Sequence, residues 1–471
     1  MAEFDMAVIG AGSAGLSVTY AAARLGVRVA LIERDRMGGD CLNQGCVPSK
    51  ALLAAAHAAR SARWAARFGV HLAQPDVEWT GVRAHVDGAI AAIAPMDSAE
   101  RYRTLGATVL RGQARFVDAR TLNVDGRRLT ARRIVVAAGS RAAVPLIPGL
   151  DRVPYLTNTT LFGLPERPEH LLILGGGPVG LEMAQAHAAL GNRVTLLERG
   201  RIGGGADPVL VDALRGALRD DGVELMEDVQ VEAVDPGPTV VLADGRRIAG
   251  SHLLVAAGRV PNLHGLGLEV AGIQATAGGV ATDRGLRSLS HRHIFAAGDI
   301  ADPAGIGPRY LTHVGSYHAG LIVRRALFRL PARIDYSALP RVIFTDPELA
   351  QAGLTDAEAR AAGHAPSLVR WPMAENDRAI AEGRTEGGVS LVVSAKGALL
   401  GVTILAPGAG EIIGMWALAL GRGVPLSALA ATVLPYPTLS EAGKRAAASL
   451  FTDRLFAPRT RRLVRLLGRL P

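Results

Sequence analysis

The chain opens on a short apolar run, Met6-Ala7-Val8-Ile9, which stops at Gly10-Ala11-Gly12-Ser13-Ala14-Gly15 and gives way to an alanine-rich stretch. A buried strand, a glycine turn and a helix is the order of elements this pattern predicts. The next apolar run, VRVALIE, ends on an acid, Glu33. The succession then returns: HLLILGGGPVGLEMA places Gly175, Gly177 and Gly180 behind an apolar run, and NRVTLLE ends on Glu198. In both copies 23 residues separate the first glycine from the acid. One glycine-rich turn is weak evidence, but two with the same spacing to an acid predict an internal duplication.

The chemistry served by such a unit follows from its parts. The first glycine permits a tight turn, the second lets backbone approach a pyrophosphate, and the third allows close packing of helix on strand. The phosphates then lie on the helix N-terminus, and the acid after the next strand accepts hydrogen bonds from a ribose. Two dinucleotide sites are therefore predicted.

Further strand-and-glycine units, RRIVVAAGS (132–140) and HLLVAAGR (252–259), close the two halves, and a third, HIFAAGD, ends at Asp299. Because that last strand follows the second copy, the second domain should be inserted in the first. From about Tyr336 the texture changes to alternating strands and helices (RVIFTDPELAQAG, GGVSLVVSAKGALLGVTIL, a helix near 410–421), which predicts a third, α+β domain. The expected fold is thus α/β, with two Rossmann-like dinucleotide-binding domains and a C-terminal α+β domain. Its segments are 1–148, 149–265, 266–335 and 336–452, with a tail at 453–471. The Pro-rich stretch 145–168 and GIGPR (305–309) read as connectors, and the charged segment 371–383 as a solvated loop or dimer contact.

A length of 471 residues fits about three domains at roughly 150 residues each. Only two cysteines are present, Cys41 and Cys46, which excludes a disulfide-rich scaffold and a zinc site of four thiolates; no metal site is expected. The first residues run straight into a strand, and no apolar run reaches the roughly 18 residues of a membrane span. A soluble cytoplasmic protein is the expectation. The net charge of +9 comes with only three lysines, Lys50, Lys396 and Lys444, so the arginine bias reads as genomic base composition and no nucleic-acid partner is expected. From Arg454 on, the chain holds six arginines and no acid. A helix begun near Pro458 would alternate Arg459, Arg461, Arg462, Arg465 and Arg469 with Leu463, Val464, Leu466, Leu467 and Leu470. Two readings stay open for residues 458–471: a peripheral membrane or partner contact, and a helix packed on its own dimer.

The two cysteines stand five apart in GGDCLNQGCVPSK (38–50), just before a helix-like stretch with Pro48 near its first turn. A thiol at a helix N-terminus has its thiolate stabilised by the free N–H groups, which makes it reactive.

Together GGDCLNQGCVPSK, the doubled glycine motif, HIFAAGD, RVIFTDPELAQAGLT and PYPTLSE resemble the flavoprotein disulfide reductases, among them dihydrolipoamide dehydrogenase, glutathione reductase and mercuric reductase. The resemblance runs from about residue 4 to residue 450. It implies FAD on Gly10, Gly12 and Gly15, with Glu33 at the adenosine ribose, backbone near Ala114 at the adenine, Asp299 on the ribityl chain, and Thr312 also in the flavin site. The nicotinamide nucleotide would lie on Gly175, Gly177, Gly180 and Glu198, with Gly258 and Arg259. Hydride would pass to the flavin, and the flavin would reduce a Cys41–Cys46 disulfide. Cys46 would be the charge-transfer thiol and Cys41 the interchange thiol. Lys50 would stand beside the flavin, with Glu182 as its salt-bridge partner.

Glu198 favours NADH by accepting from its 2′-hydroxyl, with NADPH left open because Arg199 and Arg201 follow. Gly205 stands where NADPH-dependent members tend to carry a second basic residue.

One departure from the family matters. Disulfide-cleaving members carry an HPTxxE motif whose histidine reaches across a homodimer to the interchange thiol. Here the segment reads YPTLSE, with Tyr436 in the histidine position and Glu441 in the glutamate position, completing the partner subunit's site. Unperturbed Tyr and His differ by about 3.5 pH units, or roughly 4.8 kcal/mol, as bases at neutral pH. Tyr436 is therefore a poor proton acceptor, whereas His313 and His318, in RYLTHVGSYHAG, are alternative bases. Mercuric reductase also carries tyrosine there, because a thiolate-held metal ion needs no protonated thiol; yet this chain has none of that enzyme's C-terminal cysteines. The expected function is electron transfer from NAD(P)H through FAD and the dithiol to a metal ion, quinone or other acceptor that needs no histidine base. Alternatives are a divergent dihydrolipoamide dehydrogenase and, in another class, a redox-responsive protein whose output is partner docking.

Overall fold

The computed structural model describes residues 2–469. It comprises two compact units, one of residues up to 175 with 231–334, the other of residues 176–230 with the chain from 335 on.

The first unit is built on a five-stranded parallel sheet in the spatial order Ile294–Ala296, Ile134–Val136, Met6–Ile9, Val29–Glu33, Thr108–Arg111. The four strands other than Thr108–Arg111 are buried along their whole length, which is why they read as continuous apolar runs rather than alternating ones. The HIFAAGD strand pairs with Ile134–Val136, so the chain returns to this sheet after the second glycine motif. The helices Ser13–Arg24 and Thr312–Ala326 contact one another closely, and their small residues allow it: a Cβ on Gly315 would lie 2.8 Å from Ser13 Oγ. The three-stranded sheet Ala114–Asp118, Thr121–Val124, Arg127–Thr130 is a separate antiparallel meander.

Around the second motif, His170–Leu174 pairs in parallel with His252–Val255, and Arg193–Leu197 with Val223–Met226. The intervening helix, Pro178–Ala189, is buried from Gly180 through Ala189 and carries no amphipathic pattern.

The second unit also contains an antiparallel five-stranded sheet, ordered Arg341–Ile343, Glu348–Gly353, Leu399–Ala406, Gly388–Val393, Ser367–Pro372. The helices Ala409–Arg422, Leu426–Ala431 and Glu441–Leu455 supply the rest of this core, with Trp416 fully buried at its centre. Gly443 makes room for that indole, since a Cβ there would lie 2.4 Å from the ring. Buried Asp207 accepts both a bidentate contact from Arg370, at 2.8 and 3.1 Å, and the Ser390 hydroxyl, and these bonds hold its carboxyl below the usual range against the effect of burial.

Segment 371–383 is not a solvated loop. Met373 and Ala379 are fully buried, and Asn376 both caps the short helix Asp377–Ala381 and donates to Thr438 O. Met373, Asn376 and Ala379 fall on the core side, while Glu375, Asp377 and Arg378 lie on the exposed side with Ile380. The tail forms the helix Pro458–Leu467 with no buried residue, and Leu470 lies outside the described residues. Among the described residues no helix is long and apolar enough to cross a membrane.

Candidate redox site

Each glycine of the two motifs meets a different constraint. Gly10 and Gly175 adopt φ of 101° and 111°, and a Cβ on either would strike the carbonyl of Ala137 or Ala256. A Cβ on Gly15 would lie 1.8 Å from Gly10 O, so only glycine lets helix and turn pack. Gly12 and Gly177 differ, because a Cβ there would meet nothing closer than Gly39 Cα at 3.8 Å in the first case and nothing within 4 Å in the second. The space they keep open is not filled by protein. Both residues cap helices that have no side-chain cap, which leaves first-turn N–H groups directed at that space. A pyrophosphate fits this arrangement at both motifs.

The duplication extends to the hydrogen bonds. Glu33 Oε2 accepts from Ala11 N at 2.6 Å and Oε1 from Asp35 N at 2.8 Å; Glu198 accepts from Gly176 N and Gly200 N at the same two distances. Each carboxylate is fixed beside its glycine turn with lone pairs left for ribose hydroxyls. Of the two arginines after Glu198, Arg201 pairs with Asp228 at 3.3 Å and Arg199 is exposed. Ala114 opens its strand, buried, and its carbonyl accepts from Gln113 Nε2.

Cys41 lies in the short helix Gly39–Gln44, and Cys46 is the first residue of the helix Cys46–Trp64, with Gly45 between them. Both are free thiols, the reduced half of the predicted couple. Cys46 Sγ lies 3.1 Å from Thr312 Oγ1. The two thiols are unequal: a bond from Cys41 holds the Cys46 thiolate most strongly, and the Thr312 hydroxyl and the Lys50 charge add to it against burial and Asp40, drawing Cys46 down to about 6. The same bond and burial push the Cys41 thiol up. Lys50, one helical turn beyond Cys46, also donates to Ser49 Oγ at 3.4 Å.

Beside the thiols runs a polar chain that sequence reasoning did not single out. Asp40 accepts from Asn158 Nδ2 at 2.8 Å and from Arg259 at 3.0 Å; Arg259 Nε donates to Ser140 Oγ at 2.7 Å; Ser140 Oγ donates to Asp299 Oδ2 at 2.5 Å. Burial raises the Asp299 carboxyl, opposed by the Ser140 bond and the Arg259 charge. The guanidinium of Arg259, expected on the nicotinamide nucleotide, is thus engaged with residues of the first unit. Gly258, before it, adopts φ of 116°. Ser140 and Asp40 lie inside the quoted motifs RRIVVAAGS and GGDC, but nothing in their spacing marks them.

Of the alternative bases, His318 accepts from Gly298 N through Nδ1 at 3.0 Å, and burial pushes it down to about 4. It is neutral and committed to the backbone beside Asp299. His313 is exposed on the same helix.

The remaining expected residues lie in the second unit. Glu182 is buried and accepts from Phe344 N at 3.0 Å. Tyr436 is exposed, and its hydroxyl donates to Asp377 Oδ2 at 3.0 Å; Asp377 also faces Arg445 at 3.6 Å. Glu441 opens the helix Glu441–Leu455, with Oε2 buried and unbonded. Asp377 and Arg445 were not foreseen, because the segment holding Asp377 reads as loop. Among the described residues no cluster of three or more His, Cys, Asp or Glu side chains could hold a metal ion.

Comparison with known proteins places this geometry. Residues 4–320 match the pyridine nucleotide-disulphide oxidoreductase family and residues 339–447 its dimerisation domain. The chain belongs to that family of flavoenzymes, which use FAD and NAD(P)H, and the dimerisation domain makes it a homodimer. Over 468 residues it is 38% identical to a mercuric reductase of Streptomyces lividans, covering 96% of this chain and 97% of that one. A mercuric reductase of Acidithiobacillus ferrooxidans is 37% identical over 467 residues, 96% of this chain and 83% of that one. Among solved structures, the HOCl-induced flavoprotein disulfide reductase RclA of Escherichia coli superposes with a TM-score of 0.83 at 28% identity, over 94% of this chain and 99% of that one. LpdA of Mycobacterium tuberculosis gives 0.85 at 28% identity, with the same coverage. The protein is a mercuric reductase-like flavin disulfide oxidoreductase.

Proposed function

We propose that the protein oxidises NADH and delivers the electrons through its Cys41–Cys46 pair to a thiophilic metal ion. The observation that carries this reading is the exposed Tyr436, bonded to Asp377, in the position where disulfide-cleaving relatives hold a histidine. FAD, when bound at the first glycine motif, supplies the two-electron link between the nicotinamide and the cysteine pair. The chain's own residues do the rest. A bond from Cys41, with Thr312 and Lys50 adding to it, holds Cys46 as thiolate, and Cys41 keeps its proton until a metal ion displaces it. Oxidation of the thiolate–thiol pair to the disulfide releases two electrons and one proton, the one that Cys41 kept; one Hg(II) takes both electrons to Hg(0), or two Cu(II) ions take one each. No thiol leaving group has to be protonated, so tyrosine suffices where disulfide cleavage demands a base. The relatives support a metal acceptor, since several are mercuric reductases and RclA has been solved as a Cu(II) complex.

The proposed roles of Lys50 beside the flavin, Glu182 as its partner, and Tyr436 with Glu441 in the partner subunit's site rest on the family pattern. The basic tail, exposed along the helix Pro458–Leu467, fits an anionic membrane surface. The deciding experiment is anaerobic reduction by NADH in a stopped-flow instrument, followed by mixing with Hg(II), Cu(II), a quinone, lipoamide or glutathione disulfide. Reoxidation by the metal ions at least tenfold faster than by the disulfides is expected. Faster reoxidation by lipoamide would replace this reading with a divergent dihydrolipoamide dehydrogenase. Wild-type behaviour of Cys46→Ser would remove the dithiol step altogether.

A further inference from the structure

Glycine turns follow the carboxyl ends of strands of the first sheet, whereas the amino ends of its edge strand Ile294–Ala296 and of the neighbouring Ile134–Val136 open on a different feature. Arg132 and Arg133 immediately precede the strand Ile134–Val136, and Arg292 and His293 immediately precede Ile294–Ala296. Arg325 and Arg329 come from the end of the helix Thr312–Ala326 and the turn after it, and Arg120 and Arg287 complete the ring. They line a cleft of about 690 Å³ with Phe295, Leu330 and Pro331, and no acidic residue is among its walls. That volume falls in the roughly 300–1,000 Å³ range of small-molecule sites.

Seven guanidinium groups in one cleft repel one another unless something compensates them. Two have compensation from outside the walls: Arg325 pairs with Asp283 at 2.6 Å, and Arg132 faces Asp5 at 3.6 Å. Among the described residues the other five form no ion pair within 4 Å. Burial and the charges of Arg329 and Arg132 push the Arg133 guanidinium below its usual range, with Asp5 opposing; burial, Arg325 and Arg292 do the same to Arg287, with Asp283 opposing. Arg287 lies over the Phe295 ring, and its Nε is buried with no hydrogen-bond partner. His293 donates through Nε2 to Ala119 O and adds no negative charge. The cleft therefore holds many donors in fork geometry and almost no counter-charge, which is the donor set that phosphate groups match.

We propose that this cleft is a second anion site, separate from both dinucleotide motifs, which binds a chain of linked phosphate groups. A single phosphate would engage two or three of the arginines, whereas linked phosphates engage both the strand-end and the helix-end groups at once. The shared chemistry is the polyphosphate chain, whether free or carried by a nucleoside triphosphate. The ring of Phe295 is buried and covered by Arg287, so the walls offer no free platform for a base.

The test is isothermal titration calorimetry on the FAD-loaded dimer at fixed ionic strength, using sodium tripolyphosphate, ATP and orthophosphate as separate titrants. Tripolyphosphate should bind at least tenfold more tightly than orthophosphate. The double variant Arg120→Ser/Arg292→Ser, at two exposed positions, should lose at least tenfold of that affinity while its flavin absorbance and NADH turnover stay as in wild type. Equal affinities for ATP and tripolyphosphate, both lost in the variant, would support recognition of the chain in either source. Tripolyphosphate binding without a variant-sensitive ATP site would support the free anion. Should the double variant fold poorly, Arg292→Gln with a thermal-shift readout of tripolyphosphate stabilisation serves instead. Tripolyphosphate binding no tighter than orthophosphate, or binding that the variants leave unchanged, overturns the site.

Discussion

Cys46 Sγ and Thr312 Oγ1 lie 3.1 Å apart, and each residue is the first of its helix, Cys46–Trp64 and Thr312–Ala326. Two helix N-termini thus converge on one sulfur, and the hydroxyl donates to it when it is a thiolate. Thr312→Val removes that donor without changing side-chain size. A hydrogen bond to a charged group is worth about 1.5–3 kcal/mol, so the midpoint for Cys46 ionisation should rise by about one to two pH units. The sign follows from the lost donor having favoured the charged form. The rate of iodoacetamide alkylation of the NADH-reduced enzyme against pH measures it, and an unchanged midpoint near 6 would remove Thr312 from the thiolate's support.

Glu198 sets the expected cofactor preference. Its carboxylate is held by Gly176 N and Gly200 N, while Arg201 is paired with Asp228 and Arg199 is exposed. Wild type should show the higher kcat/KM with NADH, and Glu198→Gln, which keeps an acceptor but loses the charge, should cut the NADH-to-NADPH ratio about tenfold, the effect of roughly 1.4 kcal/mol. A wild-type preference for NADPH would mean that the arginines override the acid.

The elements around these residues were legible from sequence to differing degrees. The two glycine motifs and their acids could be read because a single physical demand, backbone close to a pyrophosphate, fixes residue type and spacing together. The structure repeats them down to matching hydrogen bonds at Glu33 and Glu198. The link from Asp40 through Arg259 and Ser140 to Asp299 could not be read, since it joins residues up to 219 positions apart by side-chain contacts that leave no local period. Segment 371–383 misled for a related reason: four of its residues are charged, yet Met373, Asn376 and Ala379 carry the packing, and their burial depends on the sheet and helices around Trp416.

His318 predicts a pH dependence of stability. Burial lowers it from 6.5 to about 4 in the folded protein, so between those values the unfolded chain binds the proton and the folded one does not. Stability from this group is fully present above pH 6.5 and falls as pH drops toward 4, by about 3 kcal/mol at most. The unfolding midpoint of the FAD-loaded enzyme should therefore drop between pH 6.5 and 4. His318→Asn, which keeps an acceptor for Gly298 N, should flatten that part of the profile. A profile as steep as wild type would assign the acid sensitivity to other groups.

Tyr436 is 68% exposed and makes one hydrogen bond, to Asp377, so Tyr436→Phe should change stability by no more than about 0.5 kcal/mol. Its chemistry is tested by Tyr436→His. If the wild type is limited with disulfide substrates by the missing base, the histidine should raise lipoamide or glutathione disulfide turnover at least tenfold near neutral pH and leave metal-ion reduction within about twofold. Little change with lipoamide, from an already high rate, would identify a divergent dihydrolipoamide dehydrogenase.

The tail offers the last test. In the helix Pro458–Leu467, Leu463, Val464, Leu466 and Leu467 are each at least half exposed. At 100° per residue these four fall on one side and Arg461, Arg462 and Arg465 on the other. An apolar stripe flanked by arginines with no acid suits the interface of an anionic bilayer, where apolar burial and charge attraction act together. The full-length enzyme should pellet with vesicles containing phosphatidylserine or phosphatidylglycerol, weakly or not at all with phosphatidylcholine alone, and less at high salt. Deleting residues 458–471 should abolish pelleting while NADH turnover with a soluble acceptor stays unchanged. Equal pelleting with and without the tail would dispose of the membrane reading, and dissociation of the dimer on deletion would show that the helix packs on the partner subunit instead.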